Sequence, residues 1–310
     1  MNDAFPHNSV AVAVCTYNRN EPLNTLLAAI VANARHLGTK AKVGVVVVDD
    51  SPDGNARSIV ERFDGRFELG IRYLHSGKRN ISVARNLAIN TASQIADWTV
   101  MTDDDCEPIT EWLEALLDVQ ARTNGDAVTG PMKRRVPPGS PKWLEDEPFL
   151  ELGLEKSPDC ACLSSASTFN SMISSQWLTN NPTLRFQPSL GVIGGEDMVF
   201  YRAANSSGLR IYYSERAAVY ENEPAERATL AYQLRVHFWH GNSSYVTSVR
   251  TGISSFRMFL HAANSLRKAV ARPVERLLRG QSLQWRYSLA LVLHSLGKMV
   301  GVFGFRVSHK

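Results

Sequence analysis

Three aspartates, Asp103, Asp104 and Asp105, close the apolar run WTVMT. Adjacent like charges repel, and at the end of a buried strand they are costly unless something neutralises them. No cation stands nearby in sequence. A divalent ion, Mn2+ or Mg2+, would do it. Such ions take hard oxygen ligands and often use one or two carboxylates, with substrate phosphates completing the shell. Bridged to a diphosphate, the ion makes that diphosphate a better leaving group. Asp49-Asp50 closes a second apolar run, VGVVVV, and offers acceptors to a base or a ribose. Glu196 and Asp197, in GGED, stand where a helical pattern begins, and one of them can deprotonate an acceptor hydroxyl. Each group also has an ordinary explanation: a solvated acidic turn, an Asp-Ser-Pro-Asp turn, and acids at a helix N-terminus.

These acids need elements to hold them. VAVAVC (10–15), VGVVVV (43–48), IRYL (71–74) and WTVMTDDD (98–105) predict four short strands, the first two buried. Between them Leu23, Leu26, Leu27, Ile30, Val31, Ala34 and Leu37 recur at helical spacing, and ISVARNLAINTASQ and TEWLEALLDVQ repeat that pattern. Alternating strands and helices over about 120 residues predict a parallel sheet with right-handed crossovers. Ligands of such sheets bind beyond the carboxyl ends of the strands, where Thr16, Asp50 and Asp103–Asp105 all fall. From Pro131 to Leu190 the pattern weakens into Pro, Ser and Asn, which predicts loops with short elements.

The chain has 310 residues and a net charge of +4. From Arg250 to Lys310 there are eleven Lys and Arg against one acid, Glu275, a net of +10 that leaves −6 for the first 249 residues. Two helical segments are expected there. In one, Phe256, Phe259, Leu260, Ala263, Leu266 and Val270 share a face opposite Arg257, His261, Asn264, Lys268 and Arg272. The other, from Trp285 to Phe305, carries Arg286, His294 and Lys298 on its polar side. Charges inside it argue against a membrane span. The pattern suits helices lying on an anionic membrane surface, the alternative being a helical cap packed on the domain with its cations solvated; for nucleic acid no binding module is recognisable. The N-terminal stretch lacks a basic n-region followed by an apolar run, and the four cysteines show no structural zinc pairing. Both features point to a cytoplasmic, reducing setting with peripheral attachment to the inner face of the cell membrane.

Five segments, AVCTYNR, VVVVDDSPDG, NISVARN, MTDDDCEP..WLEAL and GGEDMVFYRAANSSGLRI, occur in this order. Together the chain resembles, over residues 9–245, the family-two inverting glycosyltransferases of GT-A fold, and bacterial polysaccharide-assembly members in particular. The resemblance implies a Rossmann-like, mostly parallel sheet flanked by helices, followed by a helical extension. It places a nucleotide-binding half at 1–130, an acceptor and catalytic half at 131–245, and a basic docking tail at 246–310. It implies a nucleotide-diphosphate sugar donor, and a glycan or lipid-linked oligosaccharide acceptor. By position, Asp197 matches the catalytic base, with Glu196 its neighbour. Thr16, Tyr17, Arg19, Asp50, Asn80, Arg85, Asp103 and Asp104 match nucleotide-sugar contacts, and Asp105 and Asp103 match the metal ligands. Asn80 stands where relatives often have Gly, and Asn tolerates a left-handed backbone. Glu221 stands where many have His. Arg235 and His240 are further candidates for diphosphate contacts. The rival class is a metal-dependent nucleotidyltransferase or phosphotransferase on a similar sheet. It leaves the Glu-Asp pair unexplained, and no Gly-rich P-loop is present.

Overall fold

A computed structural model describes residues 9–151, 157–192, 194–250 and 252–307. The strands are β1 (Ser9–Thr16), β2 (Lys42–Asp49), β3 (Ile71–His75), β4 (Trp98–Asp103), β5 (Cys106–Pro108), β6 (Ala127–Thr129), β7 (Met132–Arg135), β8 (Cys162–Leu163), β9 (Asn170–Ser174), β10 (Ile211–Tyr213) and β11 (Val219–Asn222). The helices are α1 (Asn20–Leu37), α2 (Arg57–Glu61), α3 (Ile81–Ala92), α4 (Trp112–Thr123), α5 (Trp143–Asp146), α6 (Ser175–Asn180), α7 (Glu196–Ser206), α8 (Leu230–Arg250), α9 (Ser255–Leu278) and α10 (Trp285–Val302).

The described residues fall into two compact units. The first comprises 9–133, 157–191 and 196–222, and the second 134–151, 192, 194–195, 223–250 and 252–307. The second therefore starts ahead of the change in charge and takes in α8 with the tail.

The first unit is built on a mostly parallel-centred sheet in the order β3-β2-β1-β4-β9-β6-β10-β8. Strands β3, β2, β1 and β4 run parallel, as the alternating pattern predicts. Val43 and Val45–Val48 of β2 are buried on both faces, which is why that strand reads as a continuous apolar run. Each such side chain contributes roughly 1.5–3 kcal/mol by leaving water. One layer sets Leu23, Leu26, Leu27 and Ile30 of α1 with Trp112, Leu113, Leu116 and Leu117 of α4 against Val10, Val12 and Val14. The opposite layer holds Ala84, Ala88 and Ile89 of α3 with Phe200 and Tyr201 of α7. β5 and β11 pair antiparallel in a smaller sheet whose third strand is β7.

The stretch expected to be loops contributes β9, an antiparallel strand between β4 and β6 in the middle of the main sheet. Its Asn170 and Ser171 are fully buried, and polar residues in the core concealed it. Asn170 accepts a hydrogen bond from Trp112 Nε1 at 2.8 Å and donates to the carbonyls of Pro131 and Ala217 at 3.0 and 2.7 Å.

The second unit is a helical body. Gly241 and Gly297 let α8 and α10 approach until their backbones touch: a Cβ at either would strike a carbonyl of the other helix, His294 or Phe238. Asn242 locks the contact by donating to the carbonyls of Gly297 and Phe305 and accepting from Val307 N. The buried residues of α10 are thus small: Ser288 and Ser295 on one side, and Ala290, Gly297 and Gly301 on the other. Leu289 and Leu296 of the same helix are exposed. No helix among the described residues is long and apolar enough to cross a membrane.

Candidate active site

Strand register brings the acids together. Cys15 of β1 lies opposite Asp103 of β4, and Thr16 lies opposite Asp49 of β2. The carboxyl ends of three central strands therefore form one edge.

At that edge the two acids of the Asp49-Asp50 pair have separate jobs. Asp49 is fully buried and accepts from Ser51 N, Ser51 Oγ, Ala56 N and Tyr73 Oη, so it organises the turn behind β2. Asp50 accepts from Ser76 Oγ and, at 3.0 Å, from Lys78 N. Its charge is felt at the Cys15 thiol together with those of Arg85, Asp103 and Asp104. Burial pushes that thiol up to about 12, so it is a neutral packing group.

The aspartate run does not stand unneutralised: two arginines distant in sequence supply the charge. Arg19 Nη1 donates to Asp104 Oδ1 at 3.0 Å and to Asp105 Oδ2 at 2.7 Å. Thr16 Oγ1 donates to the other oxygen of Asp104 at 2.7 Å. Asp104 is buried, and burial raises its carboxyl to about 6 even though Arg19 pulls the other way. With both oxygens held, Asp104 anchors the loop to the end of β1.

Arg85, on α3, spans the rest of the site. Its Nη2 donates to Asp103 Oδ1 at 3.0 Å, and its Nη1 donates to Glu196 Oε1. Burial disfavours its charge, but Asp103 and Glu196 more than reverse that, and Arg85 titrates above its ordinary value. Asn86, the next residue, fixes a neighbouring loop by donating to Phe186 O at 2.8 Å and accepting from Phe186 N at 2.9 Å. Glu196 and Asp197 open α7. Burial raises both carboxyls above the ordinary range, opposed in each case by Arg85. The charge of Asp103 reaches both. Asp103, Arg85, Glu196 and Asp197 thus form one electrostatic group, although about 110 residues of sequence separate Arg85 from Glu196.

Some expectations change. Asn80 is extended (φ −142) and caps α3, accepting from Ser82 N and Val83 N. The left-handed residue is its neighbour Arg79, at φ 52. The Asn80 amide donates to Pro188 O at 2.9 Å, so its visible role is to hold the loop. Tyr17 is partly exposed beside Thr16. Arg235 and His240 belong to the second unit. The ion pairs of Arg19 and Arg85 were not foreseen, because partners 85 and 111 residues apart leave no local signal.

Residues 11–179, more than half of the chain, match the family described as glycosyl transferase family 2. The chain is 29% identical over 261 residues to the succinoglycan biosynthesis protein ExoM of Rhizobium meliloti (strain 1021), covering 84% of this chain and 78% of that one. The crystal structure of S. aureus TarS 1-349 in complex with UDP has a TM-score of 0.54 at 15% identity, over 96% of this chain and 92% of that one. GalNAc-T7, solved with UDP, GalNAc and Mn2+, has a TM-score of 0.54 at 13% identity, over 77% of this chain and 51% of that one. The fold is that of the GT-A glycosyltransferases. The chain belongs to glycosyl transferase family 2 and is a glycosyltransferase.

Proposed function

We propose that the chain transfers a sugar, with inversion, from a nucleotide-diphosphate sugar to a hydroxyl of a glycan or lipid-linked acceptor, in polysaccharide assembly. The observation that carries this reading is the Arg85-bridged group, which sets the Glu196-Asp197 pair beside the carboxylate that ends β4.

Asp197 takes the proton from the acceptor hydroxyl as that oxygen attacks the anomeric carbon. Burial raises its carboxyl, and a base of higher pKa is stronger once ionised. Glu196, tied to Arg85, orients the start of α7. Asp50 accepts from the base or ribose of the donor, and Thr16, Tyr17 and Arg19 line the approach to it. Single displacement needs no covalent intermediate and hence no protein nucleophile.

Among the described residues no three Asp, Glu, His or Cys side chains form a metal cage. One or two carboxylates suffice for an ion that keeps substrate phosphates as ligands, and Asp103 and Asp105 fit that description. They are the residues that would hold Mn2+ or Mg2+, whose chemistry is Lewis-acid neutralisation of charge on the departing diphosphate. Asp103 and Asp105 would each exchange an arginine contact for it, with Arg19 still paired to Asp104 and Arg85 to Glu196.

The second unit supports attachment to an anionic membrane surface. Phe256, Leu260, Val270, Val274, Leu277 and Leu278 of α9 are 49–83% exposed and fall on one outward stripe. By helical spacing Arg267 falls within that stripe, and Arg257 and Lys268 lie roughly a third of a turn from it, positive charge that complements acidic lipid.

Asp197→Asn is the test of the base. Turnover should fall by about a thousandfold or more while donor binding stays within a few-fold of wild type. Anomeric inversion in the product, read by NMR, tests the stereochemistry. Full activity in Asp197→Asn would remove the assignment.

A further inference from the structure

A cleft of about 460 Å3 opens in the first unit, at the other end of the main sheet from the catalytic edge. Trp98, the first residue of β4, lines it together with Ser174, its partner at the end of β9, and Asp126, just ahead of β6. A parallel strand rises about 3.3 Å per residue, so the five steps of β4 from Trp98 to Asp103 set the cleft roughly 16 Å from the catalytic edge.

Four carboxamides line it: Gln120 near the end of α4, Asn124 just after that helix, and Gln176 and Asn180 on α6. Among the described residues none of these four side chains has a hydrogen-bond partner. Asn124, Gln176 and Asn180 stand exposed at the rim. Gln120 does not: it is only 6% exposed. A carboxamide offers two N–H donors and a carbonyl acceptor, and burying them unpaired is costly. A ligand that pairs with them would return that cost.

The walls select the chemistry of the ligand. Their charged residues are Asp97, Asp126 and Arg210, a net of −1. Arg210 is committed to Asp126, donating from Nε at 2.8 Å and from Nη2 at 3.1 Å. No lining cation is left to hold a phosphate or a carboxylate. The apolar lining is Ala96 and the buried Trp98, far less than the apolar walls of most small-molecule pockets. What remains suits an uncharged ligand that donates and accepts at many points, as the hydroxyls of a sugar chain do.

We propose that this cleft is a second, non-catalytic site that seats a neutral stretch of glycan. The choice of a glycan among uncharged polar ligands rests on the polysaccharide-assembly reading. A chain held there by one stretch stays close to the enzyme at high effective concentration.

The test is titration of the full chain, followed by saturation-transfer NMR, with neutral gluco-, galacto- and manno-oligosaccharides and with oligogalacturonate as the charged control. At least one neutral oligosaccharide should bind wild type, and oligogalacturonate should bind about tenfold more weakly or not at all. Gln120→Leu, and Gln176→Ala/Asn180→Ala at the exposed rim, should each weaken the neutral ligand about tenfold. Asp197→Asn, at the catalytic edge, should leave that binding within a few-fold of wild type. Gln120→Leu also removes an unpaired buried amide, so the melting temperature of the ligand-free protein should hold or rise. A clear fall would show the amide to be paired within the fold and would overturn the site. Neutral oligosaccharides that fail to bind, or that bind the cleft variants as well as wild type, would overturn it while leaving the transferase reading intact. Glycan binding that the cleft variants lose, in a protein that transfers sugar to no glycan or lipid-linked acceptor, would support the site and overturn that reading.

Discussion

Replacing Arg85 by Met removes the charge that joins the two halves of the site while keeping most of the side chain's volume. The side chain of Arg85 is 12% exposed and that of Glu196 is 8%. Breaking a buried pair from one side leaves a charge without compensation and costs about 3–5 kcal/mol. The second arm contributes less, because the Asp103 side chain is 38% exposed and water screens it; such pairs are worth up to about 1 kcal/mol. Glu196 can escape part of the penalty by taking a proton, since burial already raises its carboxyl. The cost should therefore sit near 3 kcal/mol at neutral pH. It should shrink as pH falls, because in the variant the folded state binds that proton more readily than the unfolded chain does. For a body of this size that is a fall in melting temperature of about 6–12 °C. The assay is thermal unfolding at neutral and mildly acidic pH, with Arg85→Met/Glu196→Gln alongside. The double variant removes the Glu196 charge that Arg85 pairs directly, leaving only the longer-range loss at Asp197, and should recover more than half of the loss. A change below about 1 kcal/mol in the single variant, or no recovery in the double, would refute the idea that Arg85 neutralises Glu196.

Asn170→Leu leaves the Trp112 indole N–H and the carbonyls of Pro131 and Ala217 without that partner in the core. Urea unfolding should show a loss of roughly 3 kcal/mol or more. His294 is held neutral: burial lowers its pKa to about 4, Lys298 adds to the effect, and the hydrogen bond of Nδ1 to His237 O at 3.1 Å opposes it. A histidine whose folded pKa lies below its unfolded value favours folding fully above about pH 6.5. That contribution fades as pH falls toward about 4, by about 3 kcal/mol in all. In a pH series of melting temperatures, His294→Gln should flatten this part of the wild-type profile.

The sheet was legible because its central strands are buried on both faces. VAVAVC and VGVVVV admit few other readings, and the α1 and α4 leucines repeat at the spacing of the layer they cover. The acids were legible because motif order and strand-end position agree. What stayed hidden is long-range. β9 carries Asn170 and Ser171 into the core, where polar residues read as loop. Arg19 and Arg85 meet their acids only after folding. In α10 the buried residues are small, since close helix approach selects for the lack of a side chain rather than for apolarity.

The central claim is that Asp50, Asp103, Asp105 and Asp197 surround one cation-bound nucleotide sugar. Calorimetric titration of UDP and other nucleoside diphosphates, with and without Mn2+, tests it on wild type, Asp105→Ala and Asp197→Asn. The account predicts that at least one nucleotide binds wild type with strong dependence on Mn2+. Asp105→Ala should weaken that binding at least tenfold, about 1.4 kcal/mol, and Asp197→Asn should leave it within a few-fold. Binding indifferent to Mn2+ and unchanged in Asp105→Ala would contradict it.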